Sequence, residues 1–461
     1  MSKGFRNSVS GRAPKPLPPA LHNLFSRAFA AHQAGRIREA LGLYLQVLES
    51  VPRHFDSLNM AGLASLQLEN WDGGAQLLTK AIEVNPGVPA TLSNLGVAML
   101  ELRRTKEAVA AFDKALRLQR DFVDAHFNRG RAMLSMSEFA AAAESFGTAA
   151  RLRPAHAEAL QFRGVALKLL GDRQQALASF DAALKVRGDY PDALNNRGVT
   201  LFELGRHAEA IADFDAVLRL RGPHPDLYNN RGRALQELRR PLEAIEDFNA
   251  AIRLRPDHAD ALNSRGNSLL QLLRLEEAME SFEAALRARP GYVEAMINRG
   301  NVLLEQRRFE EAIAVYDTVL ESRPGYAEAH VNRSNALMQL LRTDEALTHL
   351  DMAIRLQPDL VGAHVNRAHL WLNVGDYERG WPEFEWRWKV VGLNATAFRS
   401  PDHGLWFGSE PIRGARLVLA HEQGIGDTLQ FCRYGRLAAE AGAHVIFVVP
   451  RPLVRLLQAQ P

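Results

Sequence analysis

A column of carboxamides recurs along this chain. Asn94, Asn128, Asn196, Asn230, Asn298, Asn332 and Asn366 fall on a common 34-residue step, broken only at Phe162 and Ser264. A side-chain amide both donates and accepts, so such a column can pair with the main chain of an extended polypeptide whatever its side chains are. One helical turn earlier stands a mostly acidic row, Asp124, Glu158, Asp192, Asp226, Asp260, Glu294 and Glu328, which predicts a preference for basic or hydroxyl-bearing segments. The opposing reading of any one asparagine is a bond inside its own repeat. Arginine follows the column at Arg129, Arg163, Arg197, Arg231, Arg265, Arg299, Arg333 and Arg367, with acids at Asp113, Asp181, Asp215, Glu283, Asp317 and Asp351. Pairing between neighbouring helices accounts for this row, with a phosphate-binding stripe as the alternative. Near the end of the chain, the run GIGD places Gly424 and Gly426 where a glycine turn entering a helix can present amides to an anion, and Asp427 reads as that helix's N-cap. The histidines lack metal-ligand spacing, so no metal site or cofactor is expected.

The elements that carry these residues follow from a repeat whose register never slips. Gly62, Gly96, Gly130, Gly164, Gly198, Gly232, Gly266 and Gly300 are each 34 residues apart. Twelve residues on comes alanine, as at Ala108, Ala142, Ala176 and Ala210, and four further an aromatic, Phe112, Phe146, Phe180, Phe214, Phe248, Phe282 or Tyr316. Small residues let two helices approach, an aromatic fills the space between hairpins, and a closing proline such as Pro86, Pro154, Pro256 or Pro324 ends the second helix. The unit is a helical hairpin. Arg120, Gly188 and Gly222 replace the closing proline, and Leu350 replaces the aromatic.

Small residues at positions 8 and 20, an aromatic at 24 and a proline at 32 resemble tetratricopeptide repeats, ten of them from about Leu21 to Pro358 and a partial eleventh through WLNVGDYERGW. The resemblance implies an all-α superhelix and places the asparagines, at position 6, on a concave groove that holds protein or peptide. It also resembles the asparagine ladder of O-linked N-acetylglucosamine transferases.

Beyond Gly375 the period ends, and five of the six tryptophans lie between Trp371 and Trp406. GDYERGWPEFEWRWKV reads as a last hairpin helix. After a connector over 392–414 come a strand (RLVLAHEQ), the glycine turn, a helix (TLQFCRYGRLAAEAG), a second buried strand (HVIFVVP) and a further helix. With EWRW, LWFG, HEQ and FCRY, this short, incomplete α/β Rossmann-like segment (415–461) is similar to bacterial proteins in which tetratricopeptide repeats precede a heptosyltransferase-related glycosyltransferase of two Rossmann-like halves. That resemblance gives Asp427 the role of base toward an acceptor hydroxyl. By Pro461 only two strands of the first half are built, so the expectation is a truncated domain that binds a sugar nucleotide only if completed.

Charge excludes little else. A formal balance of +3 from 56 basic and 53 acidic residues is spread along the chain, which makes nucleic acid a poor partner. No stretch is apolar enough for a membrane span. Residues 1–20 read as a flexible proline-rich leader, and the single Cys432 fits a reducing, cytoplasmic setting. The domains expected are the leader (1–20), the repeats (21–360), capping helices (361–391), the connector (392–414) and the α/β piece (415–461). The function expected is a protein-interaction module; the alternative is the acceptor-presenting part of an inverting glycosyltransferase.

Overall fold

The computed structural model describes residues 17–389, 411–420, 428–429 and 432–458. They fall into two compact units, one ending at Val302 and one beginning at Leu303, within the helix Val293–Glu305.

In the first unit, antiparallel hairpins follow one another from Pro19, with first helices such as Val123–Ser135, Ala157–Leu169 and Pro191–Glu203 and second helices such as Phe139–Leu152 and Arg173–Val186. Alanine, leucine, arginine and glutamate fill them, all strong helix formers. Helices pack on their neighbours in sequence, and several first helices also touch the next first helix, as Ala157–Leu169 touches Pro191–Glu203 and Pro225–Glu237 touches Ala259–Gln271. At most repeats position 8 is glycine because the aromatic at position 24 lies against it. A Cβ on Gly164 would stand 2.5 Å from the Phe180 ring, and one on Gly232 2.7 Å from Phe248. Both rings are fully buried, and each such side chain contributes about 1.5–3 kcal/mol by leaving water.

The second unit repeats the scheme through Ala327–Gln339, Thr343–Leu356, Val361–Asn373 and Tyr377–Phe384, ending in the 3-10 turn Glu385–Lys389. Where position 8 is Ser334 rather than glycine, position 24 is the smaller, buried Leu350. The expected last hairpin helix is present. His364 stacks on Trp386 with ring centroids 3.6 Å apart, and Lys389 lies over the outer face of that indole.

A parallel pair of strands, β1 (Arg416–Ala420) and β2 (His444–Val448), runs in register from Arg416 opposite His444 to Ala420 opposite Val448. The helix Arg433–Glu440 contacts β2, Gly435 lying beneath the Phe447 ring, and Arg451–Gln458 follows. One expectation fails here. The second strand is not buried: Ile446, Phe447 and Val448 are exposed, as is Val418 of β1. Two strands make too narrow a sheet to cover both of their faces.

The turn inside every hairpin has a feature that the glycine-aromatic pattern does not announce. Position 15 is left-handed throughout: Gly35, Gly171, Gly205 and Gly375 share it with Glu69, Arg103, Ser137, Arg239, Leu273, Arg307 and Leu341, the last with φ near 58°. The following amide bonds back five residues, as Arg206 to Leu201 and Arg342 to Leu337, both at 2.9 Å, closing the helix in a Schellman motif. A side chain costs roughly 1–2 kcal/mol in that conformation. Leu341 is 86% exposed and gains nothing from packing. Leu341→Gly is expected to raise stability by up to about 1 kcal/mol, and Gly205→Ala to lower it by about 1–2 kcal/mol, read as shifts in the urea midpoint.

Candidate functional site

The arginine at position 7 is the most heavily bonded side chain of the repeat. It rises from a first helix between two second helices, and at Arg129, Arg197, Arg231, Arg333 and Arg367 it takes acceptors 16 residues before and 16 residues after itself. Arg197 gives Nη1 to Asp181 at 2.7 Å, and Nε and Nη2 to the two oxygens of Asp213 at 2.8 and 2.6 Å. Arg231 repeats this with Asp215 and Asp247. Arg129 holds Asp113 and Ser145, Arg333 holds Asp317 and His349, and Arg367 holds Asp351 and Glu383. Asp213 is only 4% exposed. Removing its partner strands a buried charge, a loss of about 3–5 kcal/mol, although the intact pair adds far less than that to stability. The arginines are thus internal struts, and the phosphate-stripe alternative does not describe Arg197, Arg231 or Arg367. Sequence reasoning finds the acids before six of the eight arginines but misses the acceptors after them, because Ser145, Ser179, Asp213, Asp247, Ser281, His349 and Glu383 differ in type and share only their spacing.

Every asparagine of the expected column is half-buried on a first helix. Asn94 and Asn230 have no hydrogen-bond partner among the described residues. Asn196 bonds back to the Asp192 carbonyl of its own helix at 2.9 Å. Asn298 donates to Asn263 at 3.0 Å, and Asn366 to Asn335 at 2.7 Å, so the column extends sideways into a second set of amides. Asn128 accepts a long contact, 3.4 Å, from Arg131, and Asn332 also has a partner.

The acidic row is less free than its sequence suggests. Asp124, Asp192, Asp226 and Asp260 each meet an arginine 29 residues on, Arg153 at 3.6 Å, Arg221 at 2.8 Å, Arg255 at 3.2 Å and Arg289 at 3.0 Å. Burial alone would raise the Asp226 and Asp260 carboxyls, but hydrogen bonds from Arg255, and from Arg289 with Tyr292, outweigh it and hold both below the ordinary carboxylate range. The expected preference for basic segments is weakened accordingly. Asp427, Gly424 and Gly426 lie outside the described residues, as does the LWFG connector. Among the described residues no cluster of histidine, cysteine, aspartate and glutamate could hold a metal ion, and no helix is long and apolar enough to cross a membrane.

A tetratricopeptide-repeat family model matches residues 26–89, 93–135, 169–225, 229–293 and 297–361. The chain belongs to the tetratricopeptide-repeat family. No curated protein matches it. Among solved structures, the chain is similar to YrrB, described as a TPR protein with an unusual peptide-binding site, at 26% identity and a TM-score of 0.39, over 41% of this chain and 98% of that one. Yeast Tom70 matches at 15% identity and a TM-score of 0.42, over 79% of this chain and 91% of its own. MamA matches at 21% identity and a TM-score of 0.35, over 37% of this chain and 92% of its own.

One strut of this tetratricopeptide array is titratable. His330 gives Nε2–H to the Pro324 carbonyl at 3.0 Å, which leaves its Nδ1 to accept from His349 Nδ1 at 2.8 Å, while His349 Nε2 accepts from Arg333 at 2.8 Å. Every bond in this chain needs a neutral His349. Burial first, then the charges of Arg333 and His330, push its pKa down to about 4, against the opposite pull of Asp317 and Glu345. The unfolded imidazole titrates near its ordinary 6.5, so between these values the unfolded chain binds more protons. The stability tied to the neutral strut is complete above that ordinary value and is lost as pH falls toward the depressed one. His349→Asp, which copies the Arg197–Asp213 pair, is expected to flatten the fall in melting temperature across this window, measured by circular dichroism.

Proposed function

We propose that the chain binds an extended polypeptide segment along the row of first helices, with the position-6 amides pairing to the main chain of that segment. The observation that carries this reading is the register of the column. Asn94, Asn128, Asn196 and Asn230 hold equivalent places on their first helices, spaced by whole repeats, and among the described residues Asn94 and Asn230 have no hydrogen-bond partner. A carboxamide has four hydrogen-bonding sites, so Asn298 and Asn366 keep capacity after their bonds to Asn263 and Asn335. Asn332 completes the expected set. Recognition of this kind reads backbone more than side chains, and the pairing of Asp124, Asp192, Asp226 and Asp260 reduces the charge preference beside the column.

A second reading is favoured by the parallel β1–β2 pair with a helix between its strands, the opening of a nucleotide-binding sheet. In it, Gly424 and Gly426 form a phosphate-binding turn, a sugar nucleotide binds only if the domain is completed by a donor half, and Asp427 takes a proton from an acceptor presented by the repeats, as the resemblance to repeat-linked glycosyltransferases implies.

The test of the first reading is panning of the full chain against a displayed library of random peptides. Enriched peptides are expected to share little side-chain consensus. Replacing Asn94, Asn128, Asn196 and Asn230 together with alanine is expected to weaken their binding about ten-fold or more at unchanged helicity, each lost neutral hydrogen bond being worth about 0.5–1.5 kcal/mol. Equal affinity for the fourfold variant would remove the column from the binding face.

A further inference from the structure

The strut pattern has one gap that opens onto a cavity. At the place 16 residues before the arginine, other repeats carry Asp113, Asp181, Asp215, Asn249, Glu283, Asp317 or Asp351, whereas before Arg163 stands Gly147. The acceptor after Arg163 is the neutral Ser179, at 3.2 Å. A half-buried guanidinium therefore has no carboxylate partner among the described residues. Its Nε lies 3.3 Å from where a Cβ on Gly147 would be, so the arginine runs directly over the missing side chain. Over this point lies a groove of about 870 Å³ bordered by the second helices Phe139–Leu152 and Arg173–Val186. Its charged lining is Arg151, Arg163 and Lys185 against Glu144 alone, and Leu160 and Val186 contribute apolar wall. A second hollow of about 400 Å³ shares Glu144 with it and extends the groove toward the preceding repeat.

We propose that this groove on the second-helix side is a docking site for an acidic, leucine-rich peptide segment of a partner protein, one of whose carboxylates stands over Gly147 and supplies the charge that Asp113 supplies to Arg129. The geometry for such a contact is already built into the preceding repeat, where Arg129 likewise gives Nη1 to a serine, Ser145, and its Nε reaches the upstream Asp113 at 2.7 Å. The cationic lining selects the acid and the apolar wall selects its neighbours. The site is separate from the asparagine column, and neither reading depends on the other.

The probe is a short fluorescent peptide of alternating leucine and glutamate with blocked ends, compared by anisotropy with the same peptide carrying glutamine. On the full chain, the glutamate peptide is expected to bind about ten-fold tighter than its glutamine counterpart, the difference of one charge-assisted hydrogen bond. Gly147→Asp fills the gap from inside and is expected to abolish that difference while raising the melting temperature. Gly147→Ala adds the Cβ without the charge and is expected to preserve it, as is the fourfold asparagine variant. Equal binding of the two peptides, or a preference that survives Gly147→Asp, would overturn the proposal. So would an effect reproduced by inorganic phosphate alone, which would mark the groove as a small-anion site.

Discussion

A guanidinium that needs acceptors on both sides sets the terms for the whole array. Arg197 and Arg231 each reach from a first helix to the second helix behind and the second helix ahead. Asp213 and Asp247 are almost wholly buried and are tolerated there because an arginine fork meets both carboxylate oxygens. The hydrophobic interlock of glycine with aromatic brings two helices together, but it is greasy and forgiving along the helix axis. The strut is directional. It fixes how far one hairpin can slide or rotate on the next, and so fixes the spacing of everything displayed on the row of first helices, the asparagines included.

The legible part of the fold was the part written in side-chain volume. Gly164 and Phe180, or Gly232 and Phe248, cannot exchange size without clash, so their types recur and the period can be read directly. The left-handed turn at position 15 was hidden by the reverse circumstance. Leu273, Leu341 and Arg239 adopt it as well as Gly205 does, because the Schellman bonds around them impose the backbone conformation whatever the residue prefers. Four glycines on the repeat step, Gly35, Gly171, Gly205 and Gly375, were the available signal. The candidate face was read with similar unevenness. The asparagine column could be placed from its register, whereas the neutralisation of Asp192, Asp226 and Asp260 could not, since it comes from arginines 29 residues away that no local pattern links to them.

The α/β segment stands apart in its chemistry. The repeats bury small and aromatic side chains completely, while β1 and β2 leave Val418, Ile446 and Phe447 in contact with solvent. Parallel strands normally carry cover on both faces. Here the described cover is the single helix Arg433–Glu440, set close by Gly435.

The double reach of the arginine also constrains how such a chain can lengthen or shorten. Because struts such as Arg197 and Arg231 take one partner 16 residues upstream and another 16 downstream, gain or loss of a few residues inside a hairpin would misplace acceptors on two neighbours at once. Gain or loss of a complete 34-residue module keeps the 16-residue spacing between each arginine and the places that carry its acceptors. Length in this architecture is therefore quantised: whole modules can be duplicated or deleted at the genetic level with little structural penalty, and a row of first helices of any reach can be drawn from the same part.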